Sequence, residues 1–378
     1  MLITTAERYS LDDLRPTLAL SQAADLEPAS NFPIYDDLTE TLVTAGPEDS
    51  TLRHVLAVAS GYSYSDIDTQ AMMMTRLGLD ESYCRAIEMT VDAMFIRSTA
   101  HIIQSKDGRV VIVAYRGTEP TNAISWLADA EVTPEFVEVP TQPGVEPPRQ
   151  AVHAGFYRNM RSIRWQVVEA LTRAHEGLSI NGDRASARLE HPMERLYLTG
   201  HSLGGATALL MGMALCANEV YRKAFWPSMA GIHTFGQPMV GTQNLVDAFS
   251  ADMQKKVFRY VFGKDPVPHL PPTATGTLAH IGTEFHSVPG VGYVKEQGEQ
   301  REVPTYTWEE GPTSTQDEGA LGLITLPFGF ITRKIPLLRC IPYEYAIDDH
   351  FPQYYVSTST PPTSVNEFGD DPLVTPSR

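Results

Sequence analysis

Residues 196–206 read Leu196-Tyr197-Leu198-Thr199-Gly200-His201-Ser202-Leu203-Gly204-Gly205-Ala206, an apolar run that ends in Gly-x-Ser-x-Gly. That spacing marks a serine carried on a sharp strand-to-helix turn. The backbone at such a serine is strained, and the residues two places either side must be small enough for neighbouring chain to pass. The turn leaves a hydroxyl at a helix N-terminus, where free N–H groups and the helix dipole can stabilise an oxyanion. Three fixed positions in five recur by chance, so the flanks decide. Glu194–Leu198 is strand-like and Ala206–Leu215 reads as a buried helix, which gives strand, turn and helix in the required order.

Working outward, Val110-Val111-Ile112-Val113-Ala114-Tyr115 is a continuous apolar, β-branched run, as expected of a strand covered on both faces. Ala93–Gln104 reads as its hairpin partner across the turn Ser105-Lys106-Asp107-Gly108. Ala230–Phe235 and Lys256–Phe262 are two further buried strands, and Thr51–Ser60, Asp66–Leu79 and Gly155–Arg173 have helical patterning. Residues 131–150 read as loop and 176–191 as a polar connection. This order predicts an α/β fold: a mostly parallel central sheet with helices on both faces.

The domain reading has three parts. Residues 1–48 form an acidic, proline-punctuated N-terminal extension with a short helix near Leu11–Ala24, and 49–357 the catalytic-size domain. Within it, about 289–335 is an insertion, polar to Gly319 and then apolar around Pro327, Gly329 and Pro336. Its apolar part is expected to pack inside, with a flap beside a cleft as the second reading. Residues 358–378, rich in proline and serine, are expected to be disordered.

The 378-residue chain is 42% hydrophobic and 20% charged, with a formal net charge of −17. That balance opposes nucleic-acid binding and electrostatic docking on anionic membranes, both of which need basic patches. It leaves uncharged ester substrates open. Cys84, Cys216 and Cys340 are too few and too scattered for a disulfide framework or a zinc site. The first residues lack a basic segment followed by an apolar one, and no run reaches the about 18 apolar residues that span a bilayer. A cytoplasmic location is the expectation.

A serine nucleophile needs a base to take its proton and an acid to orient that base. Asp265 fits the acid, in the turn Gly263-Lys264-Asp265-Pro266 at the carboxyl end of the strand Phe258–Phe262. Asp252 is a weaker rival because it precedes that strand. Four histidines follow Asp265: His269, His280, His286 and His350. His269 is very close in sequence to the acid, and composition does not choose among the others. His201 points off the other side of the elbow and reads as packing.

Further motifs follow in order. They are Arg116-Gly117-Thr118, Trp126-Leu127-Ala128-Asp129, Val152-His153-Ala154-Gly155-Phe156, and the elbow itself. Then come Thr234-Phe235-Gly236-Gln237-Pro238, Asp265–Pro272, His280-Ile281-Gly282-Thr283-Glu284 and Asp349-His350. Over residues 50–356 the chain resembles the class 3 lipases, a family of α/β-hydrolase fold with fungal, bacterial and plant members. The resemblance implies Ser202 as nucleophile, Asp265 as orienting acid and His350 as general base, and makes the His280 stretch structural. It implies an oxyanion hole from the backbone N–H groups of Thr118 and Leu203, a loop held by Asp129, and a lid between Thr118 and Asp129. Met239 departs from the family, standing where arginine is frequent.

The expectation is therefore a serine carboxylic-ester hydrolase acting on a lipid or other acyl ester through an acyl-enzyme, with no metal or cofactor and with transient contact at lipid interfaces. Lipase, phospholipase A1 and short-chain esterase stay open at this point. The rival is a catalytically silent binding or signalling protein on the same fold; such proteins lose triad members, and this chain keeps a candidate for each.

Overall fold

In the computed structural model, the described residues are 32–91, 96–118, 134–138, 149–182, 188–249, 251–271, 277–296, 299–316, 345–362 and 364–369. The lid segment, Asp129, Cys340 and the apolar stretch 320–338 lie outside them.

Among the described residues three helices come first: α1 (Leu38–Thr44), α2 (Ser50–Tyr62) and α3 (Ile67–Leu77). Asp49 and Asp66 start the latter two by accepting the N–H groups of Leu52 and Thr69 at 2.9 and 2.7 Å. Strands β1 (Tyr83–Val91), β2 (Ile96–Gln104) and β3 (Val110–Tyr115) follow, then a small hairpin β4 (Pro134–Glu138) and β5 (Arg149–His153). Next come α4 (Ala154–His175), β6 (Arg195–His201), α5 (Leu203–Ala217), α6 (Glu219–Phe225), β7 (Met229–Phe235), α7 (Gln243–Ala248), α8 (Ala251–Gln254) and β8 (Val257–Val261). The long strands β9 (Thr283–Glu296) and β10 (Glu299–Glu310) and the helix α9 (Pro352–Ser359) complete the order.

Among the described residues eight strands form one sheet in the order β1-β2-β3-β6-β7-β8-β9-β10. From β3 to β9 every pairing is parallel; β1, β2 and β10 add antiparallel edges. All six residues of β3 are buried, which is why its sequence carries no polar alternation. Burying each such valine or isoleucine contributes about 1.5–3 kcal/mol. On one face α4 sets Phe156, Met160, Ile163, Val167 and Leu171 at helical spacing against the sheet, beside the almost wholly buried α5. On the other face α1, α2, α3 and α9 bury Leu42, Leu56, Met74 and Tyr355.

Register then builds the site. Tyr115 pairs with Gly200, His201 with Phe235, and Phe235 with Tyr260. The carboxyl ends of β3, β6, β7 and β8 thus stand in a row, and the loops leaving them meet at one sheet edge.

Four details differ from the sequence reading. Strand β1 adds an edge that was not anticipated, and residues 131–150 include β4 and the start of β5. The polar stretch after Pro289 belongs to the β9–β10 hairpin, whose inner residues pack: Trp308 lies 5.2 Å from the Tyr260 ring and Tyr306 5.3 Å from Phe262. Pro304 lies in the edge strand β10 and Pro289 in the part of β9 beyond its pairing with β8, where a missing N–H is tolerated, and they masked the strand signal. Finally, Leu38 and Leu42 of the expected extension are core residues, and Thr358 and Ser359, at the start of the expected disordered tail, are buried. Thr360 bonds His54 at 3.2 Å and Tyr62 bonds Glu367 at 3.3 Å, contacts more than 300 positions apart that local composition does not register.

Candidate active site

Ser202 stands between β6 and α5 with φ 58° and ψ −129°, a conformation that costs a non-glycine residue about 1–3 kcal/mol. The glycines around it are a matter of space. A methyl at Gly200 would strike the Gly204 backbone, and one at Gly204 would strike the Tyr115 carbonyl. The close approach of Gly204 to Tyr115 seats the head of α5 against the end of β3. Arg116-Gly117-Thr118 therefore leaves the sheet beside the elbow. The Ser202 hydroxyl does not cap α5, and the first N–H groups of that helix, Leu203 among them, have no intrahelical acceptor.

His350 ends a short 3-10 turn (Ile347–His350) that follows Ala346, whose N–H is held by the Lys264 carbonyl at 2.9 Å. Its Nδ1–H donates to Asp265 Oδ2 at 2.8 Å, with both side chains buried. The carboxylate also accepts the Tyr355 hydroxyl on Oδ2 at 2.5 Å and the Val267 N–H on Oδ1 at 2.8 Å. Burial alone would push the Asp265 carboxyl up. The charge and hydrogen bond of His350, with the donors from Tyr355 and Val267, outweigh it and hold the group below the usual carboxylate range. With Nδ1 committed as donor, Nε2 carries the lone pair, and it has no hydrogen-bond partner among the described residues. A buried imidazole oriented by a carboxylate, with its second nitrogen vacant, is equipped to accept a proton.

Gly236, at φ 58°, turns the chain out of β7 directly over this pair. A Cβ there would come 2.7 Å from Asp265 Oδ2 and 3.0 Å from His350 Nδ1. The Phe235 carbonyl, one residue earlier, accepts the Ser202 N–H at 2.9 Å. A single strand end therefore touches both the serine and the imidazole–carboxylate pair.

The other histidines are engaged elsewhere. His280 bonds the Pro268 carbonyl at 2.8 Å and burial lowers its pKa to about 3. His269 bonds the Thr315 carbonyl at 2.8 Å, and His286 bonds the Pro312 carbonyl and Glu284, both at 2.9 Å. Glu284 also pairs with buried Arg259 and accepts Ser314. Asp252 is an acceptor for Trp226 on the molecular surface. Met239, at the family's arginine position, is buried.

Sequence reasoning missed three contributors. Tyr355 had no local signal beyond a helix that follows His350. His201, read as packing, donates Nε2–H to the His350 main-chain carbonyl at 2.6 Å and accepts from the Tyr64 hydroxyl on Nδ1 at 2.9 Å. Burial lowers its pKa to about 3, so it is neutral. Tyr64 in turn stands 3.5 Å from the Thr118 carbonyl. Among the described residues, no group of three or more His, Cys, Asp or Glu is arranged to hold a metal ion.

Comparison with known proteins gives this geometry a context. The family model described as lipase (class 3) matches residues 112–275. The chain is 31% identical over 201 residues to Lipase A of Sodiomyces alcalophilus, covering 47% of this chain and 43% of that protein. It is 29% identical over 193 residues to triacylglycerol lipase OBL1 of Arabidopsis thaliana, covering 44% and 35%. It is 25% identical over 315 residues to the lipase of Rhizomucor miehei, covering 73% and 78%. The chain thus spans less than half the length of the first two relatives and about three quarters of the third.

Proposed function

We propose that the chain is a member of the class 3 lipase family, which its match to that family's model supports, and that it is a carboxylic-ester hydrolase of the lipase or esterase type, working through an acyl-enzyme on Ser202. The observation that carries this reading is the hydrogen bond of His350 to buried Asp265, with a vacant Nε2, beside a serine held at positive φ.

His350 Nε2 takes the Ser202 proton as Oγ attacks the ester carbonyl. The carbonyl π electrons move onto oxygen, and the backbone N–H groups of Thr118 and Leu203 stabilise that oxyanion, each donor contributing about 3 kcal/mol in comparable sites. The imidazolium, stabilised by Asp265, protonates the departing alcohol as the ester C–O bond breaks. Water, deprotonated by the same nitrogen, then cleaves the acyl-enzyme and releases the carboxylic acid. The relatives named as triacylglycerol lipases support acylglycerols as the substrate class. Among the described residues no single helix is long and apolar enough to cross a membrane.

The test is hydrolysis of p-nitrophenyl esters from acetate to palmitate by the wild type, Ser202→Ala and His350→Ala. Loss in both variants, with the fold intact by circular dichroism, is the expected outcome. Full activity in His350→Ala would remove it as the base. An inert wild type on esters of every length, including acylglycerols, would turn the reading toward a binding protein.

A further inference from the structure

A cavity of about 280 Å³ lies between α4, α5, α6, α7 and the β4–β5 hairpin. It is far from Ser202 along the same helix. Leu210 and Met213, which line it, are two to three turns beyond the elbow, about 12 and 16 Å along the axis of α5. Met160, Leu245 and Phe249 complete an apolar wall. At its edge stands Arg164.

Arg164 is the last of three arginines at i, i+3 and i+6 on α4. Arg158 is paired with Glu135 at 2.9 Å, and Arg161 lies 5.6 Å from the Tyr157 ring centroid. Arg164 has no hydrogen bond or ion pair among the described residues. In a chain of net charge −17, acidic side chains are abundant, yet among the described residues none pairs with this half-buried arginine at the cavity. Among the polar lining groups, Asn218 Oδ1 is spent on the Tyr221 N–H at 3.1 Å.

We infer that this cavity is a second, non-catalytic binding site for a single-chain anionic amphiphile, a fatty carboxylate, whose head pairs with Arg164 and whose chain lies along Met160, Met213 and Phe249. A planar guanidinium binds a carboxylate through two parallel hydrogen bonds. The volume, just under the about 300 Å³ at which small-molecule pockets begin, suits one acyl chain and not a three-chain glyceride. Methionines suit a flexible chain because the thioether adapts to it.

The readout is placed at the cavity, so it is independent of the hydrolytic reading. Carbon-13 methyl-labelled methionine gives resonances for Met160 and Met213, assigned through Met160→Leu and Met213→Leu. Laurate, kept below its micelle concentration, is expected to shift both saturably in the wild type. In Arg164→Leu laurate is expected to bind about tenfold more weakly, while dodecanol, with the same chain and no charge, is unchanged. Arg164→Lys, which keeps the charge and loses the fork, falls between. Unmoved Met160 and Met213 resonances would overturn the site. Equal responses to laurate in wild type and Arg164→Leu would overturn the head-group assignment.

Discussion

His201 donates its Nε2–H to the main-chain carbonyl of His350 at 2.6 Å, so the residue before Ser202 fixes the backbone of His350. The two rings lie 4.5 Å apart, 149 positions apart in sequence. Because burial keeps His201 neutral, with a pKa lowered to about 3, this donor persists at every working pH. Tyr64 fixes the tautomer from the other side and reaches the Thr118 loop. One buried imidazole therefore couples the loop after β3, the elbow and the loop carrying His350.

Replacing His201 by phenylalanine keeps the ring and removes the donor. A net hydrogen bond of about 1 kcal/mol predicts a loss of roughly fivefold in kcat. KM is expected to hold, since His201 is fully buried. Glutamine, which can still donate, should recover part of the loss. Steady-state kinetics on one ester decides it, and an unchanged kcat in the phenylalanine variant would reduce His201 to packing.

Tyr355 shares Asp265 Oδ2 with His350 and so withdraws negative charge that would otherwise stabilise the imidazolium. Tyr355→Phe should let the pKa of the Asp265 carboxyl rise, since the tyrosine donor is one of the groups that hold it down. The acid limb of the kcat/KM profile is then expected to move to higher pH, with stability reduced by about 1–3 kcal/mol for the buried acceptor left short of a donor. A pH–rate profile that superimposes on the wild type would show that the hydroxyl only fills space.

The elbow and the turn aspartate are legible because their signals are local. Gly200, Ser202 and Gly204 fall within five positions, and Asp265 follows the strand that carries it. His350 is not legible that way, because 85 positions separate it from its partner and three other histidines lie between them. Family resemblance named it; the residues alone left it open. Tyr355, Tyr64 and the bracing role of His201 escaped for the same reason, since each acts through a contact made only by tertiary packing. The hairpin β9–β10 escaped for a different one: glutamates, glycines and prolines conceal the alternation that seats Tyr306 and Trp308 on the aromatic row of Phe262 and Tyr260.

Ser202 at φ 58° stores strain that its proposed role as nucleophile uses and stability does not. Ser202→Gly removes both the hydroxyl and the Cβ that opposes this conformation. Hydrolysis should fall by about 10⁶-fold. The strain released, on the order of 1 kcal/mol, is opposed by the extra chain entropy of glycine. The expected result is a thermal midpoint at or above that of Ser202→Ala, the control that keeps the Cβ. A midpoint clearly below it would mean that the backbone at Ser202 is relaxed.

Six histidines are buried in neutral form: burial lowers His54, His201, His233 and His280 to about 3, and His101 and His153 to about 4. The unfolded chain protonates each near 6.5, so below that pH unfolding takes up protons the native state refuses. A depressed histidine pKa therefore gives stability that is complete above about 6.5 and is lost as pH falls toward the folded value. His286 runs the other way, because its bond to Glu284 raises its pKa, but it is half exposed and single. The expected outcome is a denaturation midpoint that is flat from pH 8 to 7 and drops steeply between about 6.5 and 4. The drop should be visibly shallower in His54→Gln, which removes one of the six. Denaturant titrations at one-unit pH steps measure it. A midpoint unchanged from pH 7 to 5 would mean that these imidazoles are protonated in the native state.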